Sequence, residues 1–306
     1  MISRIPVIVI FVSLMAIAMC NTKKSGEIAP SYDNELLQKV RAAAVTIPGE
    51  LPVKINFEKY AESIRKWNDV IEGGSEDPCK MGRTAFQVEY ANGWIMVDAG
   101  MDRAVHRFFE KEKPQPFDEG KAARVRQAVQ NAKLIVITHE HGDHVANVIR
   151  TNDASIPSKT ILTKDQATSL MNNPQMPEIK LDSDKSRQYI IADFKTILPV
   201  APGMVLIKAP GHTKGEIIIY IRLQNGKEYI ATGDVSWCFN GVAEKKQKPR
   251  SERKRVGENA ELIEQQLTWL NELMNKEKIT MLVSHDDIML PQYVAQGLIG
   301  DSLKLK

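Results

Sequence analysis

The feature that most constrains this chain is an uninterrupted apolar run, Leu134-Ile135-Val136-Ile137, that passes through Thr138 directly into His139-Glu140-His141-Gly142-Asp143-His144. A short, continuous apolar segment of this kind is the pattern of a strand buried on both faces. The chain has six histidines, and three of them fall within these six residues. In an extended segment, residues two apart project to the same side, so His139 and His141 can grip one cation while Asp143 and His144 face a neighbouring position. Gly142 allows the tight turn this needs. Neutral imidazole and carboxylate suit zinc, manganese or iron, and loops at strand ends are where open α/β sheets place such sites.

Two further histidines stand in the same relation to apolar runs. Pro210-Gly211-His212-Thr213 follows Met204 to Ala209, and Ser284-His285-Asp286 follows Ile279 to Val283. Between them Thr232-Gly233-Asp234 ends another run, and Asp98 follows Trp94 to Val97. A lone histidine is usually an ordinary hydrogen-bonded residue, and His106, in an expected helix without a partner motif, is read that way. Five histidines and three aspartates in register with strand ends are not accounted for so simply.

The rest of the chain supplies the frame. Leu36, Leu37, Val40 and Ala44 recur at helical spacing before Pro48, and Phe86 to Tyr90 with Trp94 to Val97 forms a hairpin around Ala91-Asn92-Gly93. Helices are expected at Asp102 to Glu112, Glu119 to Asn131, Lys164 to Met171 and Glu258 to Asn275, and further strands at Thr160 to Leu162, Glu216 to Arg222 and Tyr229 to Thr232. Strands alternate with helices throughout, which predicts an α/β (α+β) domain of mixed sheets covered by helices.

The first twenty residues differ in kind. Arg4 precedes Ile5 to Cys20, in which Ser13 is the only polar residue, and Lys23-Lys24 closes the run. This reads as an export signal. Cys20 stands where a bacterial lipoprotein is cleaved and acylated, although Met19 departs from that pattern. The expected organisation is a signal at residues 1–20, a tether with a short helix at 21–52, and one domain at 53–306. The protein is thereby placed outside the cytoplasm, periplasmic or membrane-anchored, with membrane association only through the signal or a lipid on Cys20. An oxidising compartment would permit a disulfide between Cys79 and Cys238; two separate buried thiols is the simpler reading. A net charge of +3, from 41 basic and 38 acidic residues, gives no global reason for a nucleic-acid partner. The one basic stretch, Lys245 to Arg255 with Glu252 as its single acid, is read as a solvated loop leading into a helix, or as a lure for an anionic substrate or membrane headgroups.

The ordered series of motifs resembles the metallo-β-lactamase superfamily over residues 53–306. The resemblance implies an αββα sandwich, two mixed sheets face to face with helices outside. It implies that His139, His141 and His212 bind one metal, that Asp143, His144 and His285 bind a second, and that Asp234 bridges them, with Asp98 supporting the site from behind. The cofactors implied are two divalent ions, zinc before iron or manganese. A hydroxide bridging the ions would attack a carbonyl or phosphoryl group of a small-molecule substrate, with Asp143 or Asp234 as proton carrier. Glu140, between two ligands, would point away from the metals.

Within the superfamily, class B β-lactamases carry cysteine where this chain has Asp234. Glyoxalase-II-like thioesterases share all the ligands but act on a mainly cytosolic substrate, and the nuclease branches suit neither the charge nor the export signal. The stretch Lys276 to Asp286 resembles the last ligand region of N-acyl homoserine lactonases, which place a tyrosine where this chain has Trp237. The reading is therefore an ester or lactone hydrolase. The alternatives are a thioesterase, a phosphodiesterase, a β-lactamase, or a non-hydrolytic metal or redox protein, although His141 lacks the glutamate substitution usual in the superfamily's di-iron members. Trp237 and Phe239 are the candidate apolar pocket walls.

Overall fold

A computed structural model describes residues 29–110 and 113–306. The expected export segment and Cys20 lie outside the described residues. Eleven strands are seen among those residues: β1 (Lys54–Lys66), β2 (Pro78–Tyr90), β3 (Gly93–Val97), β4 (Leu134–Val136), β5 (Thr160–Thr163), β6 (Ile190–Ala192), β7 (Ile197–Ala201), β8 (Met204–Lys208), β9 (Ile217–Arg222), β10 (Glu228–Ala231) and β11 (Thr280–Leu282). The first six form one sheet in chain order, antiparallel from β1 to β3 and parallel from β3 to β6. The other five form a second sheet in the order β11-β10-β9-β8-β7, parallel only between β10 and β11.

The period-2 alternation of each strand sorts its side chains between two cores. Ile55, Phe86, Val88, Ile95, Val97 and Val136 of the first sheet meet Met204, Leu206, Ile217, Ile219 and Leu282 of the second, and this layer holds the sheets together. The alternate residues Met96, Ile135 and Leu162 pack outward against helices α3 (Arg103–Glu110), α4 (Glu119–Asn131), α5 (Gly142–Ile149) and α6 (Lys164–Asn172). On the far side Val205, Ile207, Ile218, Tyr220 and Ile230 are covered by Leu36, Leu37 and Val40 of α1 (Asn34–Ala43) and by Ile263, Leu267, Leu270 and Leu273 of α10 (Ala260–Lys276). The result is the expected four-layer αββα sandwich. The remaining helices are short: α2 (Trp67–Val70), α7 (Ser183–Ser186), α8 (Phe239–Glu244), α9 (Arg250–Val256) and α11 (Met289–Ala295).

Helix α4 runs from Glu119 to Asn131 as expected, and Asp118 starts it by accepting the Lys121 amide at 2.9 Å. The hairpin pairs Phe86 with Val97 to Tyr90 with Gly93 as expected, and its first arm is the end of a longer strand: β2 runs thirteen residues and pairs with β1 from Lys54 with Glu89 to Lys66 with Pro78. Two expectations need correction. The basic stretch is not a loop, because α9 takes up Arg250 to Val256, and Lys248 is 2% exposed. Gly142 makes no special turn; it opens α5, and its hydrogen is needed for space. A Cβ there would stand 2.7 Å from Met176 Cε and 3.0 Å from Val105 Cγ1. Cys79 and Cys238 are free thiols buried in one small apolar cluster with Val70, Ile71, Met81 and Trp237.

Candidate metal centre

The carboxyl ends of five strands open on one rim of the sandwich. β3 runs into Asp98, β4 into His139 to His144, β8 into His212, β10 into Asp234 and β11 into His285. The turn after β3 demands a left-handed residue, and Asp98 adopts φ 63°, a conformation aspartate tolerates better than most.

The side chains converge on two points. In the first group, His141 Nδ1 lies 3.1 Å from His139 Nε2 and 3.0 Å from His212 Nε2, and Asp234 Oδ2 is 3.4 Å from His212 Nε2. In the second, Asp143 Oδ2 is 3.5 Å from His144 Nε2 and 3.4 Å from His285 Nε2. Asp234 reaches this group too, its Oδ1 standing 3.5 Å from His144 Nε2 and 3.1 Å from His285 Nε2. One carboxylate thus serves both groups: Oδ1 faces the second, and Oδ2 faces the first while also lying 3.2 Å from His285 Nε2.

The donor set fits divalent cations. Ligand bonds of about 2.0–2.1 Å in a tetrahedron put ligand atoms roughly 3.3 Å apart, which is the spacing found. His144 Nε2 and Asp234 Oδ1 are buried atoms without a hydrogen-bond partner, and both face the second point. The outer ring nitrogens, by contrast, are occupied: His144 Nδ1 by Asp98 Oδ2 at 2.8 Å, His285 Nδ1 by the Gly82 carbonyl at 2.7 Å and His212 Nδ1 by Glu258 Oε1 at 2.5 Å. Each of these bonds orients its ring and leaves Nε2 with a lone pair aimed inward.

Protonation follows the same logic. Burial holds His139 well below the usual imidazole range and brings His141 down to about 3, so both are neutral donors. Burial opposes charge on His144 as well, but Asp143, Asp98 and Asp234 outweigh it and raise the ring to about 10. The carboxylates that would keep a proton there would equally keep a metal cation in its place.

Several residues of the centre had no local signal in the sequence. Arg83 on β2 is 5% exposed; its Nη1 rests on Asp143 Oδ2, and its Nη2 donates to Ser63 Oγ at 2.9 Å. Glu216 Oε1 accepts the Asp234 amide at 2.6 Å, and burial next to Asp234 pushes this carboxyl well above its ordinary range. Lys248 Nζ lies 2.7 Å from Glu258 Oε1 and donates to the Asp234 carbonyl at 2.6 Å. Glu140 turns aside, where Thr213 Oγ1 donates to its Oε2 at 2.8 Å, and His106 is a core residue bonded to the Gln115 carbonyl at 3.2 Å.

His141, Asp143, His212 and Asp234 of the two groups form the floor of a cavity of about 260 Å³. Its apolar walls are Met81, Phe108, Phe109, Trp237 and Val256, and Arg65 and Arg255 stand on its polar side. Trp237 is the expected wall, but its indole also donates from Nε1 to Asp234 Oδ2 at 2.8 Å. Phe239 is not in the lining. The chain turns into α8 at that point, and Phe239 is half-buried with its amide on Asp286 Oδ1 at 3.0 Å. Phe108 and Phe109, on the helix α3 that precedes the histidine motif, supply the second aromatic wall instead.

A family model described as the metallo-beta-lactamase superfamily matches residues 81–245. The chain is 23% identical over 214 residues to an N-acyl homoserine lactonase from a Bacillus species, an alignment covering 66% of this chain and 80% of the relative. Among solved structures it resembles an N-acyl homoserine lactone hydrolase with the product N-hexanoyl-L-homoserine at its catalytic metal centre. That match has a TM-score of 0.61 and 15% identity over 79% of this chain and 96% of the other. A dizinc quorum-quenching lactonase in complex with a product is similar at TM-score 0.57 and 13% identity, over 78% and 89% of the two chains.

Proposed function

The chain belongs to the metallo-beta-lactamase superfamily, and from that membership we propose that it is a metal-dependent hydrolase acting on a lactone or a comparable ester, with zinc as its ion. The observation that carries the reading is Asp234, whose carboxylate stands between two sets of inward-facing nitrogens and reaches both. His139, His141 and His212 would hold one ion, Asp143, His144 and His285 the other, and Asp234 both. Ions held there supply polarisation of a carbonyl and a water acidic enough to react near neutral pH.

The protein's own groups do the rest. Asp98, Glu258 and the Gly82 carbonyl fix the ring orientations, and the Trp237 indole fixes Asp234. Asp143 and Asp234 both border the cavity, and either would carry a proton to the leaving alcohol. Phe108, Phe109, Met81 and Trp237 offer an apolar wall for an acyl chain. The lactonase relative and the lactonase-like fold support the substrate class, and the run Ile5 to Cys20 supports an exported enzyme. An aspartate rather than a cysteine at position 234 speaks against β-lactam hydrolysis.

The test is metal analysis of the purified protein beside His141→Ala and Asp234→Ala, with turnover measured on acyl homoserine lactones, simple esters, thioesters and phosphodiesters. Wild-type protein without tightly bound divalent metal, or variants that hydrolyse at the wild-type rate, would refute the hydrolase. Turnover confined to thioesters or phosphodiesters would refute the substrate class alone.

A further inference from the structure

The two cation positions differ in what stands against them. Around the first, the histidines bond each other, Asp234 and Glu258. The cation behind that group, Lys248, reaches the Glu258 carboxylate and two backbone carbonyls rather than a ligand atom. At the second, the Arg83 guanidinium touches the ligands themselves. Its Nη1 sits on Asp143 Oδ2, the same oxygen that faces His144 Nε2 and His285 Nε2, and lies 3.4 Å from His285 Nε2.

Arg83 is also built in. Ser63 Oγ holds Nη2, and the guanidinium lies over the Phe109 ring, 4.7 Å from its centroid. The strand that carries it is pinned to the ligand loop on both sides: the Gly82 amide donates to the His285 carbonyl at 2.9 Å, and His285 Nδ1 donates back to the Gly82 carbonyl at 2.7 Å. A guanidinium does not lose its proton, so this charge is permanent. An ion at the second point would share its carboxylate oxygen with a competing donor and sit against a positive charge in a buried, weakly screened place.

We propose that Arg83 makes the two cation positions unequal, so that the Asp143/His144/His285 position takes its divalent ion about tenfold or more weakly than the His139/His141/His212 position. This rests on the metal-dependent reading above. It follows that when metal is scarce the protein carries one ion, at the three-histidine position, and that the second ion comes and goes with its supply.

The experiment is a stepwise zinc titration of the metal-stripped full chain by calorimetry, with a chelator of known affinity to resolve tight steps. Wild type is expected to show two steps separated by about tenfold or more. His285→Ala should remove the weaker step and keep the tighter one. Arg83→Met should tighten the weaker step by about tenfold and leave the tighter one unchanged. Arg83→Lys, which keeps a cation, and Ser63→Ala, which frees one side of the guanidinium but keeps its charge, should both leave the second step weak. Two equal steps in wild type, loss of the tighter step in His285→Ala, or an unchanged ratio in Arg83→Met would each overturn the proposal. If Arg83→Met does not fold, the wild-type ratio together with Arg83→Lys and His285→Ala decides. Failure of wild type to bind any zinc would instead refute the proposed function.

Discussion

Replacing Lys248 by methionine is expected to destabilise the protein by about 3–5 kcal/mol, the cost of breaking a buried ion pair from one side. Lys248 is 2% exposed, and its ammonium meets Glu258 Oε1 at 2.7 Å and the Asp234 carbonyl at 2.6 Å, above the Trp237 ring at 5.0 Å. Methionine fills similar volume but leaves the fully buried Glu258 carboxylate with His212 as its remaining partner. The protonation of Glu258 points the same way: burial would raise its carboxyl, yet Lys248 and His212 together bring it down to about 2. In a domain of this size such a loss lowers the melting temperature by roughly 6–12 °C. The measurement is thermal unfolding followed by circular dichroism in chelating buffer, so that metal binding does not mask the difference. The double variant Lys248→Met/Glu258→Gln should recover more than half of the loss, since neither charge is then stranded. A single variant within about 0.5 kcal/mol of wild type is what a solvated lysine would give, and would refute the buried pair.

Other substitutions probe the remaining contacts. Trp237→Phe keeps the pocket wall but removes the donor to Asp234 Oδ2; zinc affinity or kcat should fall by about tenfold or more, with the melting temperature of the metal-free protein nearly unchanged. Gly142→Ala should cost about 1–3 kcal/mol by urea unfolding, because the added methyl meets Met176 and Val105 rather than any backbone strain. Glu228, although burial would raise it, is held below the ordinary carboxyl range by Arg41 and Tyr220. Its contribution is therefore present above the unfolded glutamate value near 4.3 and fades as pH falls below that. Glu228→Gln should lower stability at pH 7 and flatten the acid limb of a stability profile measured between pH 3 and 7.

How much of this was legible beforehand follows from where each signal lies. The ligands could be read because each stands just beyond an apolar run, and a strand end is local information. The helix Glu119–Asn131 and the pairing of Phe86 with Val97 were readable for the same reason. Arg83, Glu216, Lys248 and Glu258 were not, since each acquires its role from partners that only the folded chain brings beside it. Arg83 and Asp143 lie 60 positions apart, and His212 and Glu258 lie 46 apart. The basic stretch misled because charge density suggests solvent, whereas a single buried lysine within it, Lys248, is held by Glu258 and the Asp234 carbonyl. Phe239 is outside the cavity lining because the chain enters α8 there.

The division of ligands between the sheets has a mechanical consequence. His139, His141, Asp143 and His144 follow a strand of one sheet, and His212, Asp234 and His285 follow strands of the other. An ion gripped by both sets is a rivet through the sandwich at one rim. Free metal concentration then sets how firmly that rim is shut. Amide exchange after chelation should quicken first in the loops beyond β4, β10 and β11, well before the hydrophobic layer between the sheets gives way.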